Sequence, residues 1–259
     1  MKERVAEVPT ADGRMKTFIT HPEQDGPFPA VVLYMDFWGV REELFDIARK
    51  IATVGYYCAV PDFYYRQGEI HNERRNADGK MISLDRLDDA TRAKFLAPLE
   101  KLSNQMAMDD TAALLDFFGT GEPVRPGAKG SIGYCLGGRL VMCAAGHFPD
   151  HFRASASLHG SALVSERADS PHHLVEKFRG ELYCGFAEHD PYTSPEAVGT
   201  LEQSMRGAAV AYRYEIHPGA EHGYALPDRD IHDKRAANRD WELIFAMFRR
   251  QLRPYKTAA

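Results

Sequence analysis

The stretch Ile132-Gly133-Tyr134-Cys135-Leu136-Gly137-Gly138 sets a cysteine between glycines where two apolar runs meet. Two readings fit it. Cys135 is a nucleophile raised on a sharp strand-to-helix turn, or a small buried residue in a glycine-rich bend. The first reading gives Gly133 and Gly137 a task, because such a turn brings backbone too close for side chains on either flank. It also puts the sulfur at the first turn of a helix, where the dipole favours an anion. Asp190 closes the run ELYCGFAEHD, and His222 lies in the loop Pro218-Gly219-Ala220-Glu221-His222-Gly223. Alone, Asp190 reads as a turn acid and His222 as a loop histidine. In the chain order nucleophile, acid, base, the three form a set for acyl transfer. The thiol would attack, the imidazole would move the proton and the carboxylate would orient the imidazole. Such chemistry also needs two backbone N–H groups for the developing oxyanion. Leu136, directly after the cysteine, and Phe37, after the first buried strand, are the matching positions.

These residues need elements to hold them. The run AVVLY at 30–34 is a β-branched apolar strand of the kind buried on both faces. Residues 41–54 space Leu44, Ile47, Ala48 and Ile51 at helical intervals, and YYCAV at 56–60 follows as the next strand. That is a βαβ unit, parallel and right-handed by default. Residues 66–84 are polar and aperiodic, an expected surface excursion. Helical pattern covers 85–118, with a break suggested by Pro98 and Ser103. Strands are then expected at 130–134, 154–158, 181–187 and 211–216, and helices at 136–146, 171–178, 195–206 and 231–252. The expected fold is α/β: a mostly parallel sheet with helices on both faces, a three-layer sandwich, in a single domain over residues 1–259. Ligands in such sheets bind beyond the carboxyl ends of the strands, where Cys135, Asp190, His222 and Asp36 all fall.

Composition narrows the classes. A net charge of −5 and 44% hydrophobic residues create no field for nucleic acid or anionic membrane. The start MKERVAEVPTADG lacks the apolar core of a signal peptide, and no apolar run approaches the ~20 residues that span a bilayer. A cytoplasmic location is expected, with Cys58, Cys135, Cys143 and Cys184 as free thiols. No histidine cluster has metal-ligand spacing and no nucleotide-binding glycine motif follows a strand, so neither metal nor cofactor is expected.

IGYCLGG, followed by AEHDPY and GAEHGY, resembles the dienelactone hydrolase family, from residue 29 to the end of the last helix. The resemblance implies an α/β-hydrolase fold, Cys135 as nucleophile, His222 as base and Asp190 as orienting acid. It implies a small-molecule carboxylic ester or lactone as substrate. In the family a glutamate ends the first buried strand and accepts a hydrogen bond from the resting cysteine. Here that position is Asp36, one methylene shorter, which reads equally as a cap for the helix starting near Val40. The family arginine four residues after the histidine is replaced by Leu226, with Arg229 later in the loop and Arg86 in the region of the second family arginine. Trp38, Tyr64, Tyr192 and Tyr224, in strand-end loops, are candidate pocket walls beside Arg86. Two other readings stay open: an α/β-hydrolase shell that binds small molecules with weakened catalysis, and a thiol redox protein using Cys135.

Overall fold

The computed structural model describes residues 1–70 and 72–255. Its centre is an eight-stranded sheet in the order β1-β2-β4-β3-β5-β6-β7-β8. The strands are β1 Lys2–Thr10, β2 Gly13–His21, β3 Ala30–Tyr34, β4 Tyr57–Pro61, β5 Lys129–Tyr134, β6 Phe152–Leu158, β7 Glu181–His189 and β8 Ala211–Glu221. From β4 across to β8 all pairings are parallel, and β2 alone runs against the rest. The helices are α1 Glu42–Thr53, α2 Asp89–Glu100, α3 Asn104–Phe118, α4 Leu136–His147, α5 Pro195–Gly207 and α6 Lys234–Leu252. α1 and α6 cover one face of the sheet, where the Lys50 ammonium sits 4.2 Å from the Trp241 ring. α3, α4 and α5 cover the other. Every residue of β3 and β5 is buried, as apolar and glycine-rich runs covered on both faces must be. α1 buries Leu44, Ile47, Ala48 and Ile51, the stripe that its periodicity marks.

Four departures from the sequence expectation have local causes. The β1–β2 hairpin was not expected; its turn at Ala11-Asp12 leads into Gly13 at φ 140, and Asp-Gly is the signal that marks it. Residues 171–177 form a 3₁₀ helix rather than an α-helix. α6 starts at Lys234, because the Asp233 carboxylate accepts the N–H groups of Arg235 and Ala236 and so caps the helix there. The polar excursion is not a free loop. Met81 N donates to Asp228 O at 2.7 Å and Asp230 N donates to Met81 O at 3.0 Å, stitching the segment to the loop after β8. Among the described residues no helix is long and apolar enough to cross a membrane.

Candidate active site

β5 ends at Tyr134 and α4 begins at Leu136, so Cys135 alone turns the chain. Its backbone sits at φ 53, ψ −112, a left-handed conformation that a residue with a side chain keeps only under constraint. The constraint is visible. Cys135 N donates to Leu158 O at 3.1 Å, and Ser161 N donates to Cys135 O at 3.1 Å. A Cβ on Gly133 would lie 2.2 Å from the Gly137 carbonyl oxygen, and one on Gly137 would lie 2.2 Å from that of Tyr34. No other residue type fits either position. Cys135 is half-buried, while Cys58, Cys143 and Cys184 are buried. Burial pushes the thiols of Cys143 and Cys184 up to about 12 and that of Cys58 well above its usual range.

Asp190 follows the end of β7 and His222 the end of β8, the neighbouring strand. His222 Nδ1 lies 2.8 Å from Asp190 Oδ2, whose carboxylate is 1% exposed. Tyr192 N donates to the other oxygen at 2.8 Å. With Nδ1–H directed at Asp190, the lone pair falls on Nε2. Nε2 is buried without a nitrogen or oxygen partner, and the Cys135 side chain is a hydrogen-bond partner of the ring. Burial alone lowers the imidazole pKa, but the charge at Cys135 and the bond to Asp190 outweigh it and raise it to about 10. The environment therefore favours the protonated form of the imidazole. The N–H groups of Phe37 and Leu136 make no turn or loop hydrogen bond among the described residues, which leaves them available to an oxyanion.

The ring of His222 rests on a polar floor. His159, fully buried at the end of β6, meets it edge-on at 5.0 Å, and burial drives the His159 pKa well down, so this ring is neutral. Tyr224 meets His159 at 5.5 Å and donates its hydroxyl to Asp240 on α6 at 2.8 Å. Asp240 also accepts from Tyr183 at 2.6 Å and lies 2.7 Å from His217 Nε2. A Cβ on Gly185 would come within 2.5 Å of the Tyr224 hydroxyl, so β7 leaves a gap for this network.

Asp36 neither caps α1 nor meets Cys135. The N-cap of α1 is Arg41, without a side-chain cap, and among the described residues no hydrogen bond joins Asp36 to Cys135. Its Oδ1 accepts from Trp38 N at 3.1 Å and Arg41 Nη1 at 2.7 Å, and its Oδ2 accepts from Arg41 Nη2 at 3.0 Å. Arg41 Nε donates to Asp228 at 2.6 Å, so one buried guanidinium bridges two carboxylates. A bidentate arginine outcompetes a thiol for a short carboxylate. Cys135 instead has the Ser161 hydroxyl at 3.8 Å.

Cys135, Ser161, His222 and Arg229 open into a cleft whose apolar lining is Phe37, Leu84, Leu96, Leu99, Pro191 and Tyr192. Of the expected pocket walls, Tyr192 takes its place, 44% exposed and edge-on to His222 at 4.7 Å. The others do not line the cleft. Tyr64 is buried and donates to Phe37 O at 3.1 Å, so it braces the turn after β3. Tyr224 is buried in the floor and Trp38 lies beneath Arg229. Arg86 is occupied by Glu221 and Asp230, each at 2.9 Å. A charge spent on two carboxylates is not free for a substrate. Arg229 is: it is 5% exposed, lies 5.2 Å over the Trp38 ring, and its Nε has no partner among the described residues. The carboxylates that act on it, Asp36 and Asp228, are both bonded to Arg41. Ser161 and the leucines of α2 were not expected at the site. The i, i+3 spacing of Leu96 and Leu99 was the available signal. Among the described residues no group of three or more His, Cys, Asp or Glu side chains is gathered to hold a metal ion.

A strand-end cysteine on a strained turn, followed by a strand-end acid and a loop histidine, over a sheet of this order, defines an α/β hydrolase. The solved structures agree on the fold. A "Putative Dienelactone Hydrolase" from Klebsiella pneumoniae superposes with a TM-score of 0.81 at 21% identity, over 95% of this chain and 98% of that one. The "Dienelactone Hydrolase-like Promiscuous" phosphotriesterase P91 from metagenomic libraries gives 0.75 at 18% identity, over 97% and 99%. The sequence model of the dienelactone hydrolase family matches residues 15–252, and the chain belongs to that family. A Synechocystis relative named "Putative carboxymethylenebutenolidase" is 24% identical over 98% of both chains, and one of the same name from Saccharolobus solfataricus is 25% identical over 93% of this chain and 96% of its own. The chain is thus a hydrolase acting on ester or lactone bonds.

Proposed function

We propose that the chain cleaves a carboxylic ester or lactone through a thioester acyl-enzyme, with Cys135 as nucleophile, His222 as base and Asp190 as its orienting acid. The observation that carries this is the 2.8 Å bond from His222 Nδ1 to Asp190, which turns Nε2 to the elbow cysteine. Sulfur bonds to the carbonyl carbon, and the thiol proton resides on Nε2. The tetrahedral oxyanion takes the N–H groups of Phe37 and Leu136. Its collapse breaks the C–O bond, and the departing alkoxide takes the proton from His222. Water then attacks the thioester, gives a proton to His222 and expels the thiolate, releasing the acid. Asp36 has no part in these steps. Arg229, desolvated and without a hydrogen-bonded carboxylate, supports substrates that carry a carboxylate near the scissile bond.

Hydrolysis of p-nitrophenyl acetate by the purified protein, with Cys135→Ala as control, tests the reading. The expected result is turnover in the wild type, its loss in the variant, and a covalent mass increase of one acyl group on the Cys135 peptide at short times. Turnover that survives Cys135→Ala would sink it. Ligand binding without turnover in the wild type would favour the binding shell.

A further inference from the structure

We propose that the substrate carries an apolar substituent seated against Leu84, Leu96 and Leu99, and that these side chains set which ester is accepted. The inference rests on the ester-hydrolase reading and adds to it the chemical class of the group that does not react. The cleft that holds Cys135, His222 and Arg229 is also lined by these three leucines, the only leucines on it among the described residues, beside the polar Ser83, Asp85 and Glu221. Leu84 is 7% exposed in a 3₁₀ turn, Leu84–Arg86, and Leu96 and Leu99 are half-buried on α2, so all three already lie close against the protein. An ester that covers them removes their remaining apolar surface from water.

The wall is built in rather than loosely draped. Ser83 donates both its N–H and its hydroxyl to Asp230 Oδ1, at 3.1 and 2.6 Å. Arg86 bridges Asp230 and Glu221, the residue before His222. Arg92 on α2 donates to the carbonyls of Leu84 at 3.2 Å and Leu87 at 3.1 Å, so the turn and the helix hold one another. Gln67 reaches Pro98 O at 2.9 Å from the other side. Phe95, next to Leu96, packs edge-on against Trp38 at 5.4 Å, beneath Arg229. These bonds tie the segments that carry the leucines to Glu221 and Asp230, in the loop that carries His222 and Arg229, and a held wall is the requirement for a size-selective subsite.

The test is kcat/KM for wild type and variants on two series: p-nitrophenyl esters from acetyl to decanoyl, and acetate esters of lengthening alcohols. In one series the wild-type value should rise by about fourfold per methylene while the chain still meets the wall, the transfer free energy of one buried CH₂ group. Leu99→Ala and Leu96→Ala should shift the preferred length upward, and Leu99→Trp should shift it downward. A length profile that is flat in the wild type, or unchanged in all three variants, would overturn the proposal. The first of these outcomes needs no variant to fold. Failure of the ester reading looks different, since then the wild type would turn over no ester of either series or Cys135→Ala would leave acetyl ester turnover intact.

Discussion

Two carboxylates at strand ends flank the elbow, Asp36 after β3 and Asp190 after β7, and each is 1% exposed. Their nearest partners lie at almost the same distance, 2.7 Å for Arg41 and 2.8 Å for His222. What differs is the partner. Arg41 keeps its proton throughout the accessible pH range, binds Asp36 with two nitrogens and is itself clamped by Asp228. That corner is closed. His222 uses one nitrogen on Asp190 and keeps the other for Cys135. Similar burial and bond length thus give a carboxylate clamped by arginine on one side and, in the proposed mechanism, the orienting acid of a proton carrier on the other. The lesson is that a buried acid does what its partner permits.

The largest effect should come from opening the working corner. His222→Ala is expected to lower kcat by ~10²–10⁴ with the fold intact, the contribution of a positioned general base. Asp190→Asn should also be severe, because the amide favours the wrong imidazole tautomer. Ester turnover with circular dichroism on the same samples checks both; wild-type rates would remove His222 from the mechanism. Breaking the closed corner should read out as stability instead. Arg41→Met strands two buried carboxylates and should cost about 3–5 kcal/mol in chemical denaturation. A milder break sharpens the contrast: Asp36→Asn should lower the denaturation midpoint and leave iodoacetamide alkylation of Cys135 within about twofold of wild type. A large change in that rate would return Asp36 to the activation step. Cys135 itself should label before the three buried thiols.

The smallest effect concerns pH. The folded pKa of His222, raised to about 10, lies above its ordinary 6.5. Its contribution to stability is then full below pH 6.5 and is lost as pH rises through about 10. In Cys135→Ser the contribution of the sulfur to the raised pKa of His222 is removed, so the imidazole should titrate at lower pH and the loss should begin earlier. Histidine ring NMR titration of the two proteins measures this directly; coincident curves would contradict the coupling.

The working corner was more legible in the sequence than the closed one, for a physical reason. Cys135, Asp190 and His222 each sit in a short segment whose backbone demands mark it: two glycines without room for a Cβ, and strand ends followed by turns. The parallel strands β3 to β7 were legible as apolar or small-residue runs and β8 by its aromatic and β-branched residues, whereas the β1–β2 hairpin hid in a charged stretch. The bond from Asp36 to Arg41 was not legible although Arg41 lies five residues on, because that guanidinium is also held by Asp228, 187 residues away. Tyr64 and Tyr224 follow strand ends as pocket residues do, but nothing local says which way a ring turns. Their hydroxyls found Phe37 O and Asp240, and that decided it.

The order of strands has a consequence for how the molecule comes into being. Cys135 leaves β5 in the interior of the sheet, while His222 leaves β8 at its edge, joined through β6 and β7. During synthesis the thiol emerges well before the histidine that is to serve it, and the edge strand cannot dock until its neighbours are in place. A chain halted before β8 would hold the elbow and lack His222. Recovery of activity after denaturation should therefore lag behind recovery of helix signal and coincide with the final closure of the sheet. Latency is written into the order of the strands: Cys135 meets His222 only once the edge of the sheet is in place.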